Sequence, residues 1–122
     1  MTVDLKSLDD DELIHCFSQA AREMGAAVLD SETSEANHRF KTMWDIDLAL
    51  RERGRAARLK LLPLLDDKNR FVRYYTAKKL LGIAPDRARA IIEWNAKKGF
   101  DAIAGDANGL LRALDEGIFK PD

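Results

Sequence analysis

His15 and Cys16 stand side by side, and His38 is the one other histidine in the chain. A base beside a thiol could form a nucleophilic pair, but neighbours on a helix point about 100° apart and do not face each other. Cys16 therefore reads as a small, half-buried residue. His15 and His38 fit neither a Glu-x-x-His nor a His-x-x-x-His pattern, so the sequence specifies no metal set. Gly105-Asp106-Ala107-Asn108-Gly109 lacks the Lys and Ser or Thr that follow a phosphate-cradling loop, and is expected to let two helices approach closely. Asp45 and Asp47 lie two apart on a helix, diverge, and are expected to face outward or sideways. Asp66 and Asp67 fall in a turn, where an Asp is explained by backbone hydrogen bonds. No catalytic, cofactor-binding or metal-binding residue is assigned, and the expectation is a protein that is not an enzyme.

What remains is a surface that could bind. Arg70, Arg73, Tyr74, Lys78 and Lys79 interleave long cations with an aromatic ring, a combination that can hold phosphates or an acidic peptide. These five are the expected partner-binding residues. The competing explanation is that Arg73 pairs with Asp67 or Asp47 and that the lysines are simply solvated. Charge favours neither reading alone. Residues 1–50 carry 4 Lys/Arg against 11 Asp/Glu, residues 51–100 carry 14 against 5, and residues 101–122 carry 2 against 5, within a net charge of −1. A basic middle between acidic flanks can mark an anionic partner, or helices of opposite sign packed side by side.

The elements that position this surface are helical. A first helix is expected from a cap at Ser7, with Asp9, Asp10, Asp11 and Glu12 at its positive end. Leu13, Phe17, Ala20, Ala21, Met24 and Val28 then recur at steps of three and four. A second begins near Ser34, carries Phe40, Met43, Trp44, Leu48 and Leu50 as its apolar face, and ends in a left-handed cap at Gly54. A third runs from about Ala56 to Leu65 and is bent by Pro63. Asn69 caps a fourth that runs to about Leu81 and stops at Gly82. Pro85 opens a fifth, ended by Gly99. A sixth carries Ile103, Ala107, Leu110, Leu111 and Leu114 to Gly117. No strand alternation is found. Ile118 and Phe119 suggest a tail that docks.

Sliding the chain by 30 residues places Leu61-Leu62 on Ile91-Ile92 and Leu80-Leu81 on Leu110-Leu111, so two hairpins share one plan. The turn and helix formed by Leu65, Asp67, Val72-Arg73, Thr76-Ala77, Leu80 and Ile83 resemble a HEAT-like repeat over about 23 residues. Thirty residues on from Asp67 and Arg73 stand Lys97 and Ile103, so the Asp-to-Arg ladder of such repeats has one rung. Over most of its length, including the acidic first helix and the closing GDANGLLRALDEGIFKP, the chain also resembles the bacterial family known as domain of unknown function 2019. That resemblance implies a helical HEAT-like bundle and brings no activity with it.

The expected architecture is thus an all-α, compact α-α superhelix of about six helices in three antiparallel pairs. It forms one domain over 1–122, with a capping pair at 7–54, a HEAT-like hairpin at 55–83, a second hairpin at 84–117 and a tail at 118–122. Asp67 and Asn69 are expected to be structural turn residues. The opening residues have no basic and apolar leader pattern, no stretch approaches the roughly 18 apolar residues of a membrane span, and one cysteine permits no intrachain disulfide. A soluble, cytoplasmic protein is expected, a monomer or weak homodimer without cofactors. The expected function is a non-catalytic module that binds a protein partner on its concave face. HEAT-like resemblance extends this to an immunity-type inhibitor that neutralises a toxin. The alternative is phosphate or nucleic-acid binding through residues 51–100, against which a pI near 6 counts.

Overall fold

Asp9 sets where the first long helix starts. Its carboxylate accepts from the Glu12 amide at 2.8 Å while the Glu12 carboxylate accepts in turn from the Asp9 amide at 3.0 Å, a reciprocal capping box. In the computed structural model, which describes residues 4–98 and 101–121, helix α1 therefore spans Asp10–Leu29. Ser7, expected as the cap, instead closes a 3-10 turn at Leu5–Ser7. Asp9 wins because its side chain is in register with Glu12, three residues on. Helix α2 follows at Thr33–Arg53, and Gly54 leaves it at φ 109°, ψ 174°, an extended turn rather than the compact left-handed cap expected.

Proline breaks the next segment instead of bending it. Helix α3 covers Arg55–Leu59, and a separate 3-10 turn covers Leu62–Asp66 with Pro63 at its start, where the missing amide hydrogen costs no helical bond. Asn69 accepts the Phe71 and Val72 amides at 2.9 and 3.2 Å, and Asp67 accepts the Asn69 amide at 2.8 Å. Both thus shape the turn into α4 (Arg70–Lys79), which ends two residues before the expected Leu81. Pro85 opens α5 (Pro85–Lys97); its expected terminator, Gly99, lies outside the described residues. Asp101 caps α6 (Ala102–Asp115) by accepting the Ala104 amide at 2.8 Å. At the other end Gly117, at φ 72°, lets its own amide reach Leu114 and the Ile118 amide reach Ala113, a left-handed closure that ties down the tail.

The chain is all-α, with no strand among the described residues. Successive helices joined by short turns pack antiparallel, α1 on α2 and α5 on α6, and α4 bridges α1 to α5. The broken third segment serves two neighbours, α3 lying on α2 and the Leu62–Asp66 turn on α4. Helix α1 also reaches α6. It is therefore more central than the end cap expected of it, and its Leu13, Phe17, Ala20 and Ala21 join Ile46, Leu50, Leu61, Leu65, Val72, Ile92 and Ile103 in one core. Each of the large side chains there contributes about 1.5–3 kcal/mol by leaving water. The close approach expected at Gly105 and Gly109 occurs elsewhere. A Cβ on either would meet nothing, whereas a Cβ on Gly25 of α1 would overlap the Phe71 ring of α4. No described helix is long and apolar enough to cross a membrane.

Charge asymmetry resolves largely into contacts between elements. Asp10 on acidic α1 meets Arg53 at 2.9 Å and Lys60 at 3.1 Å. Arg70, Lys78 and Arg89 of the basic middle meet Asp101, Asp106 and Asp115 of the acidic C-terminal segment, each at 2.9 Å. Opposite signs have been brought together by packing.

Candidate functional site

Helix α2 carries two apolar stripes. Met43, Ile46 and Leu50 enter the core, while Phe40, Trp44 and Leu48, four residues apart in sequence and so stacked along one edge, are 47%, 49% and 44% exposed. The sequence reading merged these stripes into one face and missed Ile46. Spacing could have separated them, since 40, 44 and 48 form one row and 43, 46 and 50 another. Phe40 and Trp44 touch, with ring centroids 6.1 Å apart.

Beside the exposed stripe lies a cleft bounded by α2, α4 and α6. One pocket of about 170 Å³ is lined by Phe40, Met43, Tyr75, Lys78, Lys79 and Leu110, with Phe119 of the tail at its edge. A second, of about 370 Å³, continues past Lys78, Lys79 and Phe119 to Trp44, Leu48, Arg51 and Leu81. Phe119 thus packs at the cleft as the docking expectation required, whereas Ile118 is 75% exposed.

Of the five residues expected to bind a partner, the structure brings Lys78 and Lys79 to this cleft and places the others differently. Tyr74 is fully buried, and its hydroxyl donates to Asp106 Oδ2, which Lys78 Nζ also approaches at 2.9 Å. Burial first, and the neighbouring Asp106 carboxylate second, push the Tyr74 phenol far above its ordinary pKa, so it stays neutral and structural. Its expected outward placement is wrong: the ring packs in the core, and the hydroxyl reaches across to α6. Arg70 has its side chain 18% exposed and donates to Asp101 at 2.9 and 3.1 Å and to Asn95 Oδ1 at 2.9 Å. It is the clasp between α4, α5 and α6. Arg73 reaches main-chain carbonyls, those of Asp67 at 2.8 Å and Lys68 at 3.0 Å, rather than the Asp67 or Asp47 carboxylate, and its guanidinium lies 5.5 Å from the Trp94 ring centroid. That is another face of α4.

Lys78 and Lys79 differ from each other. Lys78 has Asp106 for an ion pair and sits 5.5 and 5.8 Å from the centroids of Tyr74 and Tyr75. Lys79 Nζ lies 4.8 Å from the centroid of Trp44, a cation–π contact. Burial holds its pKa below the usual lysine value, the nearby Asp47 carboxylate opposes that shift, and Lys78, Arg51 and Arg58 add to it. Asp47 itself is buried, not outward as expected, and its Oδ2 accepts from Arg51 Nε at 3.0 Å. His15 and Cys16 line a separate shallow depression with Leu8, Asp9, Asp11 and Glu12. No group of three His, Cys, Asp or Glu among the described residues is placed to hold a metal.

A family model described as domain of unknown function (DUF2019) matches residues 11–115. Among solved structures, the crystal structure of the protein RPA1889 from Rhodopseudomonas palustris CGA009 is similar over 99% of this chain and 100% of that one, with 33% sequence identity and a TM-score of 0.88. No curated protein matches.

Proposed function

We propose that this chain, which belongs to the family described as domain of unknown function (DUF2019), is a non-catalytic, cytoplasmic interaction module that takes a segment of a partner protein into the cleft between α2, α4 and α6. The observation that carries this reading is the exposed row Phe40, Trp44 and Leu48 running beside two connected pockets. Scattered apolar residues are normal on a surface, but a contiguous apolar strip along a cleft marks a binding edge. Rows of side chains at one-turn spacing are also how helices and peptides are received in grooves.

We read the paired helices as HEAT-like. Support comes from the Asp67 and Asn69 turn and from Val72 and Thr76 of α4 with Leu80 at its C-cap, all buried as such a repeat requires. An immunity-type inhibitor is a narrower version of the same proposal. Phosphate or nucleic-acid binding has less support, because Arg53, Lys60, Arg70, Lys78, Arg87 and Arg89 each share a carboxylate within the chain, and paired cations release fewer counterions to a polyanion.

The test is a reconstitution. Proteins co-purifying with the wild-type chain are identified, purified and titrated against wild type and Trp44→Asp. A cleft partner binds the variant at least tenfold more weakly. Partners that bind wild type and Trp44→Asp equally would remove the cleft as the interaction surface.

A further inference from the structure

Of the two lysines in the cleft, Lys79 is the one without an ion-pairing carboxylate among the described residues. Among the described residues no carboxylate lies within ion-pairing distance of its Nζ, unlike that of Lys78, and its one close contact is the face of Trp44. Holding an ammonium against an indole at the junction of two largely apolar pockets strips it of water without a described carboxylate at ion-pairing distance. Asp47, the acidic group that acts on it, lines the second pocket and gives its Oδ2 to Arg51. The surrounding charges, Lys78, Arg51 and Arg58, are of its own sign.

Resting on the reading of the cleft as the interaction surface, we propose that its ligand is an acidic amphipathic segment of another protein, with an apolar side chain entering the pocket between Phe40, Met43, Tyr75 and Leu110 and an Asp or Glu carboxylate closing on Lys79 Nζ. Charge complementarity selects this occupant. A carboxylate arriving at Lys79 forms a charge-assisted hydrogen bond in a site already partly dry, where such bonds are strong. A basic segment would bring a second cation to an ammonium that has no ion-pairing carboxylate among the described residues. A wholly apolar one would leave the ammonium buried and unpaired.

The experiment is selection of a random peptide display library on the full chain, followed by titration of the enriched peptides against wild type, Trp44→Ala, Lys79→Gln and Lys79→Arg. The expected peptides carry an Asp or Glu at a fixed offset from an aromatic or aliphatic anchor. Changing that acid to its amide weakens binding to wild type about tenfold, the scale of one hydrogen bond to a charged group, and changes binding to Lys79→Gln by less than about twofold, with Lys79→Arg behaving as wild type. Peptides that lose affinity with Trp44→Ala but show no acidic enrichment, or bind Lys79→Gln as well as wild type, overturn the acidic ligand and leave the cleft standing. If no enriched peptide responds to Trp44→Ala, the cleft reading fails and takes this one with it. A dimer in sedimentation that Trp44→Ala dissolves would make the occupant a second copy and also overturn it.

Discussion

Arg70 grips Asp101 with both arms of its guanidinium, at 2.9 and 3.1 Å, so the first residue of α4 holds the residue that caps α6. The same side chain reaches Asn95, which is fully buried on α5 and whose amide nitrogen donates to Ile91 at 2.9 Å. Replacing Arg70 by Ala frees the α6 cap and orphans a buried amide oxygen. The expected cost is about 2 kcal/mol, read as a lowered urea midpoint with unchanged slope. Arg70→Lys recovers less than half of it, since an ammonium cannot form the fork.

Acid should expose the same clasp. The Arg70 guanidinium, and then the Ala104 amide, hold the Asp101 carboxyl below its ordinary value of 3.8, and Arg53 and Lys60 do so for Asp10. A depressed folded-state value means the unfolded chain takes up protons first. Stability from both groups is complete above about pH 4 and is lost as pH falls through the depressed values. Acid titration of ΔG should therefore be shallower below pH 4 in Arg70→Met and Arg53→Met than in wild type.

Both tyrosines of the chain should resist ionisation. Burial dominates the upward push on Tyr74 and Tyr75, with Asp106 adding to each. Stability is whole below the unfolded value of about 10 and drains away as pH climbs from there toward the folded value. Absorbance of tyrosinate at high pH should rise together with loss of helical circular dichroism, and not before it. Tyr74→Phe, which leaves Asp106 to Lys78 alone, should cost about 1 kcal/mol.

Gly25→Ala offers a test of α1 against α4. Alanine is the better helix former by about 1 kcal/mol, yet its Cβ would enter the space held by the Phe71 ring. Overpacking of this kind costs about 1–3 kcal/mol, so the variant should be less stable despite its propensity. Adding Phe71→Leu should recover part of the loss in a double-mutant cycle on thermal unfolding.

The two cleft lysines should answer oppositely to Met. Lys79→Met removes a desolvated ammonium with no ion-pairing carboxylate among the described residues and is expected to stabilise by roughly 0.5–1 kcal/mol. Lys78→Met breaks the partly exposed pair with Asp106 and should destabilise by up to about 1 kcal/mol. Urea midpoints of the two variants, measured side by side, check the difference in sign.

Much of the fold could be read from residue order. Helices α5 and α6 were legible because Pro85 and Gly117 impose backbone geometry on their own, with no help from distant residues. Asn69 was legible for the same reason, its partners lying two and three positions on. The site was harder. Tyr74 looked external because it sits between Arg73 and Lys78, but its ring packs in the shared core while its hydroxyl finds Asp106, 32 residues away. Arg73 looked like half of an ion pair, but its turn offers two main-chain carbonyls closer to hand. Phe40, Trp44 and Leu48 looked like core because apolarity alone does not say which of two rows on α2 meets α1.

Both tryptophans of the chain lie half exposed under cations, Trp44 beneath Lys79 and Trp94 between Arg73 and Lys98. An indole already in contact with water shifts little in wavelength when the chain unfolds, so the position of the emission maximum will be a poor gauge of folding here. Trp44 is a different matter when the cleft fills. Drying its ring and drawing Lys79 away should shift its emission to shorter wavelength and relieve cation quenching, which gives the chain a built-in optical signal of occupancy, with Trp94 as the internal standard.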